Sequence, residues 1–411
     1  MWSCSRERGG CDVAGIGRMV AAGIQRGESG RVSATQGGGR KTGKAAAGER
    51  TGERLLSIDA LRGFDMFWIV GGDVLATKLL ERSTSADAAR LKLQFEHVDW
   101  AGFRFYDLIF PLFMFLVGCV IPFSLSRYQQ QPSQAWSRIL RRTALLFLLG
   151  LVCNGLLQFR FGDLRYPGVL QRIALCYGIS AVLFLKLSAR GLIATIAGIL
   201  LSYWALLALV PAPGSVAGDF SKAGNLPGYV DRALLPGRIP AQWYGDGDNE
   251  GILSTIPAVS TVLLGCLAGL WLRTDRSGWG RFAGLCLMGG VLLSAGYSWG
   301  VVFPIIKNLW TSSFVLVAAG WSMLLLSAFY LVIDVMGFRR WAFFWAVIGV
   351  NAITIYVVPR FVDFDGMAAF FLSGIARLSG AWGEVVLAVG VLSAQWLFLL
   401  YLYRNRIFLR L

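Results

Sequence analysis

Residues 105–125 read FYDLIFPLFMFLVGCVIPFSL, a stretch of 21 positions with a single charge, Asp107. As a helix rising about 1.5 Å per residue it would be about 30 Å long. That is the thickness of the hydrocarbon core of a bilayer, so the stretch reads as a membrane span. The pattern recurs along the chain, and spans are expected at 62–81, 105–125, 139–159, 168–187, 191–210, 252–272, 281–300, 310–333, 341–359 and 383–403. Composition agrees. The 411 residues are 55% hydrophobic and 15% charged, with a mean hydropathy of +0.58, where ordinary soluble domains carry about 25% charged residues. The expected fold class is all-α, a polytopic integral membrane bundle of about ten transmembrane helices. The piece 363–378 is apolar but short; counted as a span, it would make an eleventh.

Charge orients these spans. The net charge of +15 does not point to nucleic acid, because the basic residues gather in the N-terminal segment and at span ends. Arg50 and Arg54 precede the first span. Arg127, Arg138, Arg141 and Arg142 lie between the second and third, Lys186 and Arg190 between the fourth and fifth, and Arg273, Arg276 and Arg281 between the sixth and seventh. Arg339 and Arg340 lie between the eighth and ninth, and Arg404, Arg406 and Arg410 end the chain. With ten spans all these sets fall on one side, the cytoplasmic side by the positive-inside rule, with both termini inside. An eleventh span would place the last arginines outside. The outward loops are then 82–104, 160–167, 211–251 and 301–309. The long loop at 211–251 is rich in Pro, Gly and Asp, carries Trp243 and Tyr244, and has a composition that fits an ordered, substrate-facing cap or a plain linker. Residues 1–53 are Gly/Arg-rich without apolar periodicity and cannot bury a core, so they are expected to be a disordered cytoplasmic tail. Residues 54–411 form the expected membrane domain. Cys119, Cys153, Cys176, Cys266 and Cys286 fall within spans, as small packing residues do. No disulfide framework or metal site is expected.

His97 is the one histidine of the chain, in the polar stretch Phe95-Glu96-His97-Val98-Asp99-Trp100 between two apolar segments. Its side chain exchanges protons near neutral pH. Charged groups in spans are costly and usually face a cavity or a partner. Asp73 lies about 16 Å along the first span from Arg62. Asp107 opens the second span, Gln171 and Arg172 lie about one turn into the fourth, and Asp246, Asp248 and Glu250 precede the sixth. Lys307 and Asn308 precede the eighth, and Asn351 and Thr354 sit near the middle of the ninth. Six segments bringing polar groups to one level suggest a single hydrated cavity, open outward and fronted by His97. Asp59 and Arg62, three residues apart, read as a structural pair. Phosphate-loop and metal-cluster fingerprints are absent, and a Ser-His-Asp triad is possible only through His97.

Several stretches together are similar to a known family. They are Leu55-Leu56-Ser57-Ile58-Asp59-Ala60-Leu61-Arg62-Gly63, then Glu96-His97-Val98-Asp99-Trp100-Ala101-Gly102, and Tyr106-Asp107-Leu108-Ile109-Phe110-Pro111. Gly168-Val169-Leu170-Gln171-Arg172-Ile173-Ala174, Glu250-Gly251-Ile252-Leu253-Ser254, Lys307-Asn308-Leu309-Trp310-Thr311 and Gly349-Val350-Asn351-Ala352-Ile353 follow in order. They resemble the transmembrane region of the heparan-alpha-glucosaminide N-acetyltransferase family, over residues 55–411. The resemblance implies that cytosolic acetyl-CoA gives its acetyl group to an amino sugar across the membrane. It also implies that the active histidine is that of His-x-x-Trp-x-Gly, here His97 to Gly102. Where the family has an asparagine in the preceding helix, this chain has Asp73, a carboxylate that only accepts hydrogen bonds.

On this reading His97 acts as general base or carries the acetyl group transiently. Asp99 or Asp107 orients its ring, and Asp73 completes the catalytic set. Arg172, Gln171, Lys307, Asn308, Asn351 and Trp310 are the expected acetyl-CoA contacts, with Asn308, Asn351 or Arg172 near the thioester oxyanion. Glu250, Asp248 and Trp100 are the expected acceptor contacts. The expected partners are an amino-sugar or glycan acceptor, acetyl-CoA and the bilayer of a bacterial cytoplasmic membrane, and a homodimer is left open. Two rivals stand beside it. One is a transporter for a sugar or ion, although no paired broken helices in two similar halves are legible. The other is an O-acetyltransferase of envelope polysaccharide.

Overall fold

The computed structural model describes residues 55–128, 132–239 and 247–409. The N-terminal tail, Arg54, Trp243, Tyr244, Asp246 and Arg410 lie outside the described residues. Fifteen α-helices follow one another: α1 (Leu56–Phe67), α2 (Asp73–Leu80), α3 (Ala86–Lys92), α4 (Phe105–Leu125), α5 (Pro132–Cys153), α6 (Val169–Lys186), α7 (Ala189–Leu209), α8 (Leu226–Leu234), α9 (Ile252–Leu272), α10 (Gly278–Gly300), α11 (Ser312–Tyr330), α12 (Ala342–Val350), α13 (Ala352–Val357), α14 (Phe364–Leu378) and α15 (Gly383–Arg404). Among the described residues there is no strand, only two isolated bridges, Ala101 with Ile306 and Arg165 with Gly237. The protein is an all-α polytopic membrane bundle, as its apolar periodicity implies.

Seven helices are long and apolar enough to cross a membrane: α4, α6, α7, α9, α10, α11 and α15. The pair α12 and α13, bent by 70° at Asn351, makes an eighth if it is one span. The two remaining expected spans are also helical, with a different character. The first is interrupted between α1 and α2, where Gly71 has φ +132°, a conformation open to glycine. It also holds Asp65, Asp73 and Lys78. The other, α5, starts at Pro132 rather than 139, because its arginine-bearing turns are helical too. Arg138 lies 4.7 Å over the Tyr128 ring and Arg142 4.4 Å over the Tyr177 ring, so their stems cover apolar surface. The 363–378 piece is α14, 15 residues long and packed against α15. The long loop contains the short helix α8.

The centre is α4, α9 and α11, whose apolar windows are mostly buried, while α7, α10 and α15 stand at the periphery. In lipid the hydrophobic effect does not hold helices together, so close packing at small residues takes its place. Gly63 of α1 and Gly349 of α12 meet this way: a Cβ at Gly63 would lie 1.8 Å from the Trp345 carbonyl oxygen, and one at Gly349 1.9 Å from that of Asp59. Gly118 and Gly265 do the same between α4 and α9, each against the other helix's backbone at 2.0 Å. The expected outcome for Gly349→Ala is a loss of about 1–3 kcal/mol, the usual cost of overpacking, read as a lower unfolding temperature in detergent. Gly374→Ala is the control. No atom lies within 4 Å of its added methyl, and helix propensity predicts a neutral or raised unfolding temperature.

Candidate functional site

The site begins at the first turn of α4. Asp107, its third residue, accepts the Arg104 backbone N–H at 3.2 Å and that of Val98 at 3.4 Å through Oδ2. Its Oδ1 is 2.8 Å from His97 Nδ1. In this geometry Nδ1–H donates to the carboxylate and Nε2 keeps its lone pair. The side chain of Asp107 is 1% exposed and that of His97 53%. Arg104 donates from its guanidinium to the His97 carbonyl at 3.0 Å, and the Tyr106 ring lies 4.8 Å from the imidazole. The Tyr106 hydroxyl in turn engages the Asp73 carboxylate.

A second loop completes the group. The Gly102 N–H donates to the Ile305 carbonyl at 2.8 Å, and Ala101 pairs with Ile306. This pairing sets Lys307 over His97, with Nζ 3.0 Å from Nδ1, 3.5 Å from Nε2 and 3.4 Å from Asp107 Oδ1. Burial pushes the Lys307 pKa down, opposed by the Asp107 carboxylate. Beyond Lys307 the chain turns through Trp310 at φ +52°, an uncommon conformation for a bulky residue. Trp310 is held there by its indole N–H on Thr261 Oγ1 at 3.1 Å, by Phe110 and by the Arg172 guanidinium 4.9 Å from its ring. His97, Tyr106, Glu250, Lys307, Asn308 and Trp310 line a cavity of about 200 Å³, with Asn249, Tyr356 and apolar residues of α4 and α6.

The cap above α9 is built on ion pairs. Arg165 reaches Asp248 through two bonds of 2.8 and 2.6 Å, and also bonds Glu250. The residue before α9 is Gly251, which has no side chain to cap the helix. Asp231 of α8 does so instead, accepting from Ile252 N–H at 2.9 Å and Asp248 N–H at 3.1 Å.

The structure brings together His97, Asp107, Lys307, Asn308, Glu250 and Trp310, and sets Asp73 one residue away behind Tyr106. The alternative between Asp99 and Asp107 resolves at the level of geometry: Asp99 is exposed and bonded to Lys222, away from the ring. Trp100 ties its loop to the Phe220 carbonyl at 2.8 Å. Asp248 is buried in its pair with Arg165. Gln171 donates to the Tyr166 carbonyl and packs against Gly150 and Gly168. Arg172 is buried against Trp310 and bonds Ser254, off the His97 cavity. Asn351 is likewise elsewhere, at the bend between α12 and α13, where its amide donates to the Ile407 carbonyl. Arg172 thus stands at the His97 level behind Trp310 without lining the cavity, its Nε and Nη1 buried without a hydrogen-bond partner; the expectation that Asn351 joins that level is corrected, since its amide is turned to the C-terminal segment. Tyr106, Tyr356, Arg165 and the Lys307–His97 contact went unmarked in the sequence.

Two further cavities lie along α4. Arg62, Phe113, Val117, Val120 and Arg142 are among the residues lining one of about 210 Å³. Ser124, Tyr128 and Arg127, Arg138, Arg141 and Arg142 line another of about 420 Å³. None of these last four arginines is in an ion pair among the described residues, and Arg142 Nε is buried without a partner. From Tyr106 to Ser124 is about 27 Å along the helix. One face of α4 thus links an imidazole cavity at one end to a guanidinium cavity at the other.

Residues 54–224 match the family model described as heparan-alpha-glucosaminide N-acetyltransferase, catalytic. Among curated proteins, the human heparan-alpha-glucosaminide N-acetyltransferase is 28% identical over 364 residues, covering 74% of this chain and 52% of its own length. The mouse protein of the same name is 29% identical over 323 residues, covering 64% of this chain and 48% of its own. The chain thus spans about half the length of the curated relatives it matches.

Burial raises the Asp231 pKa to about 6, against the two N–H bonds that lower it. A carboxyl that titrates at about 3.8 unfolded and about 6 folded favours the folded state most below pH 4, and that contribution is lost as pH rises through 6. Asp231→Asn abolishes this titration. The expected outcome is that wild type gains stability over the variant on going from pH 7.5 to pH 4.5, by ~3 kcal/mol at most, measured by thermal unfolding of both proteins across that range.

Proposed function

We propose that this chain, a relative of the heparan-alpha-glucosaminide N-acetyltransferase family through its membrane region, transfers the acetyl group of cytosolic acetyl-CoA to the amine of an amino sugar on the opposite side. The observation that carries the proposal is the imidazole of His97, oriented by buried Asp107 and lining a cavity with Lys307, Asn308 and Glu250. An oriented imidazole whose Nε2 keeps its lone pair is suited to proton transfer near neutral pH. As the amine nitrogen attacks the thioester carbon, Nε2 takes its proton and the C–S bond breaks. The imidazolium returns the proton to the thiolate, leaving an N-acetyl amine and the free thiol of CoA. In a two-step form, Nε2 attacks the thioester carbon and CoA leaves as its thiolate; the amine then takes the acetyl group from Nε2, and the proton it loses balances the one the thiolate gains. The Lys307 and Asn308 donors suit the oxyanion that forms on the thioester oxygen.

The family of cavities along α4 supports the donor's placement. A polyphosphate fits four arginines that form no ion pair among the described residues and can offer phosphate oxygens several N–H donors. An extended chain reaching from there to His97 covers about the thickness of a bilayer core. This reading takes residues 54–411 as the acyltransferase domain, with ten crossings completed by the interrupted first span and the arginine-bearing α5, and both termini cytoplasmic. The setting is then a bacterial cytoplasmic membrane.

A specific observation favours one rival. Two spans are broken, at Gly71 and at Asn351, and discontinuous helices are common around transporter sites. An imidazole–carboxylate pair also serves as a proton relay in carriers, so acetyl-CoA binding is what separates the two readings.

The expected outcome for His97→Ala is a folded protein whose acetyl transfer from radiolabelled acetyl-CoA falls by about 10²- to 10⁴-fold. An undiminished rate overturns the imidazole mechanism in both forms. Labelled acetyl trapped on the wild-type protein and missing from the variant identifies the two-step form. Transfer to hydroxyl acceptors but not to amines makes the protein an O-acetyltransferase.

A further inference from the structure

Behind the His97 cavity lies a second one, of about 380 Å³, and the two share Ile69 and Tyr356 as a wall. Gly71, Asp73, Arg360, Asp365 and Gln395 are among the residues that line it. It sits where both helix breaks open: Gly71 and Asp73 come from the interruption between α1 and α2, and residues 355–360 follow the bend at Asn351. Gln395 is twelve residues into α15, about 18 Å from its start, so the floor of the cavity lies well inside the membrane region, while Arg360 and Asp365 are exposed at its mouth. Charged groups at that depth are costly unless hydrated or paired.

These groups are available to a ligand. Gln395 is 5% exposed, and its Oε1 is buried with no hydrogen-bond partner. Arg360 reaches the Tyr356 hydroxyl, yet no ion pair joins it to Asp73 or Asp365 among the described residues. The cavity therefore presents two carboxylates and an orphan amide oxygen, which suit an ammonium and hydroxyls, and a guanidinium, which suits an anion. Asp73 is linked to the histidine through Tyr106, whose hydroxyl it engages and whose ring lies 4.8 Å from the imidazole.

We propose that this second cavity is the acceptor subsite, and that the acceptor it selects is an amino sugar that carries an anionic group, phosphate or carboxylate, as well as its amine. The proposal rests on the acetyltransferase reading above. Asp73, Asp365 and Gln395 hold the amine and hydroxyls at the shared wall, and Arg360 holds the anion. Arg360 acts as a specificity residue and touches no reacting atom.

The test uses the full-length protein in lipid nanodiscs with acetyl-CoA and three probes: glucosamine, glucosamine 6-phosphate and muramic acid. The expected KM is about tenfold lower for the two anionic sugars, the size of one charge-assisted contact. Arg360→Gln removes that advantage and Arg360→Lys keeps part of it, read within each protein as the ratio of KM for the anionic sugar to KM for glucosamine. An advantage for only one anionic sugar supports the subsite and identifies its anion. Equal KM values for all three sugars, or an advantage that survives Arg360→Gln, overturn it. Should no sugar be acetylated, the acetyltransferase reading fails by itself. Calorimetric titration of glucosamine 6-phosphate then still decides the subsite: binding that Arg360→Gln weakens supports it, and binding equal in the variant, or none in wild type, overturns it. Arg360→Lys stands in for Arg360→Gln if the latter does not fold.

Discussion

Everything near the histidine hangs from one buried carboxylate. Asp107 accepts from the backbone of Arg104 and Val98, holds Nδ1 of His97, and lies 3.4 Å from the Lys307 ammonium. An isolated carboxylate out of water is strongly disfavoured; here two N–H groups, an imidazole and a cation surround it. Its position in the first turn of α4 adds the favourable end of the helix dipole. The same group therefore starts the central helix, fixes the shape of the 96–104 loop and aims the ring. Without it, two backbone donors and the imidazole would all lose their partner. A structural requirement and a chemical one are met by the same two oxygens, so neither can change without the other.

From that anchor α4 acts as a ruler across the membrane. Its residues Tyr106, Ile109 and Phe110 face the imidazole cavity, Phe113, Val117 and Val120 the middle one, and Ser124 and Leu125 the arginine cavity. Pro111 and Pro122 lie within this helix, which stays continuous because the neighbouring helices pack closely around it. Gly118 against Gly265 brings α9 to backbone contact at mid-height. Rigid packing at that point leaves the cavities on the opposite side, toward α6, α12 and α13.

Much of this was legible in the sequence, and what was not has physical causes. The apolar runs and their flanking arginines marked the spans, since bilayer thickness sets their length. The lone histidine and its motif marked the site. The choice between Asp99 and Asp107 was not legible, because both lie within ten residues of His97 and only the fold turns one of them toward the ring. Lys307 is 210 positions away, and its contact with His97 depends on the pairing of Ala101 with Ile306, for which no spacing rule exists. Asn351 misled, and the partners of Arg172 were hidden, for the opposite reason. A polar residue inside a span signals that a partner exists, but not which one. For Arg172 it is Trp310 and Ser254, and for Asn351 the backbone of the folded-back C-terminal segment at Ile407.

The two helix breaks explain how polar cavities can exist at this depth. Breaking a helix inside a bilayer frees backbone groups that lipid cannot satisfy, so breaks survive only where protein or water surrounds them. Gly71 lies against Leu392 of α15, and the bend at Asn351 is closed by its own side chain on Ile407. Both breaks are thus sealed on one side by packing and open on the other to a cavity. Transporters use the same arrangement to let a site face two directions in turn. Here the cavities lie on the two sides of a wall made by Ile69 and Tyr356, with an imidazole at one and arginines at the far end of α4. On the acetyl transfer proposed above, such a layout is what two molecules approaching one imidazole from separate sides require, the group crossing the barrier while neither carrier does.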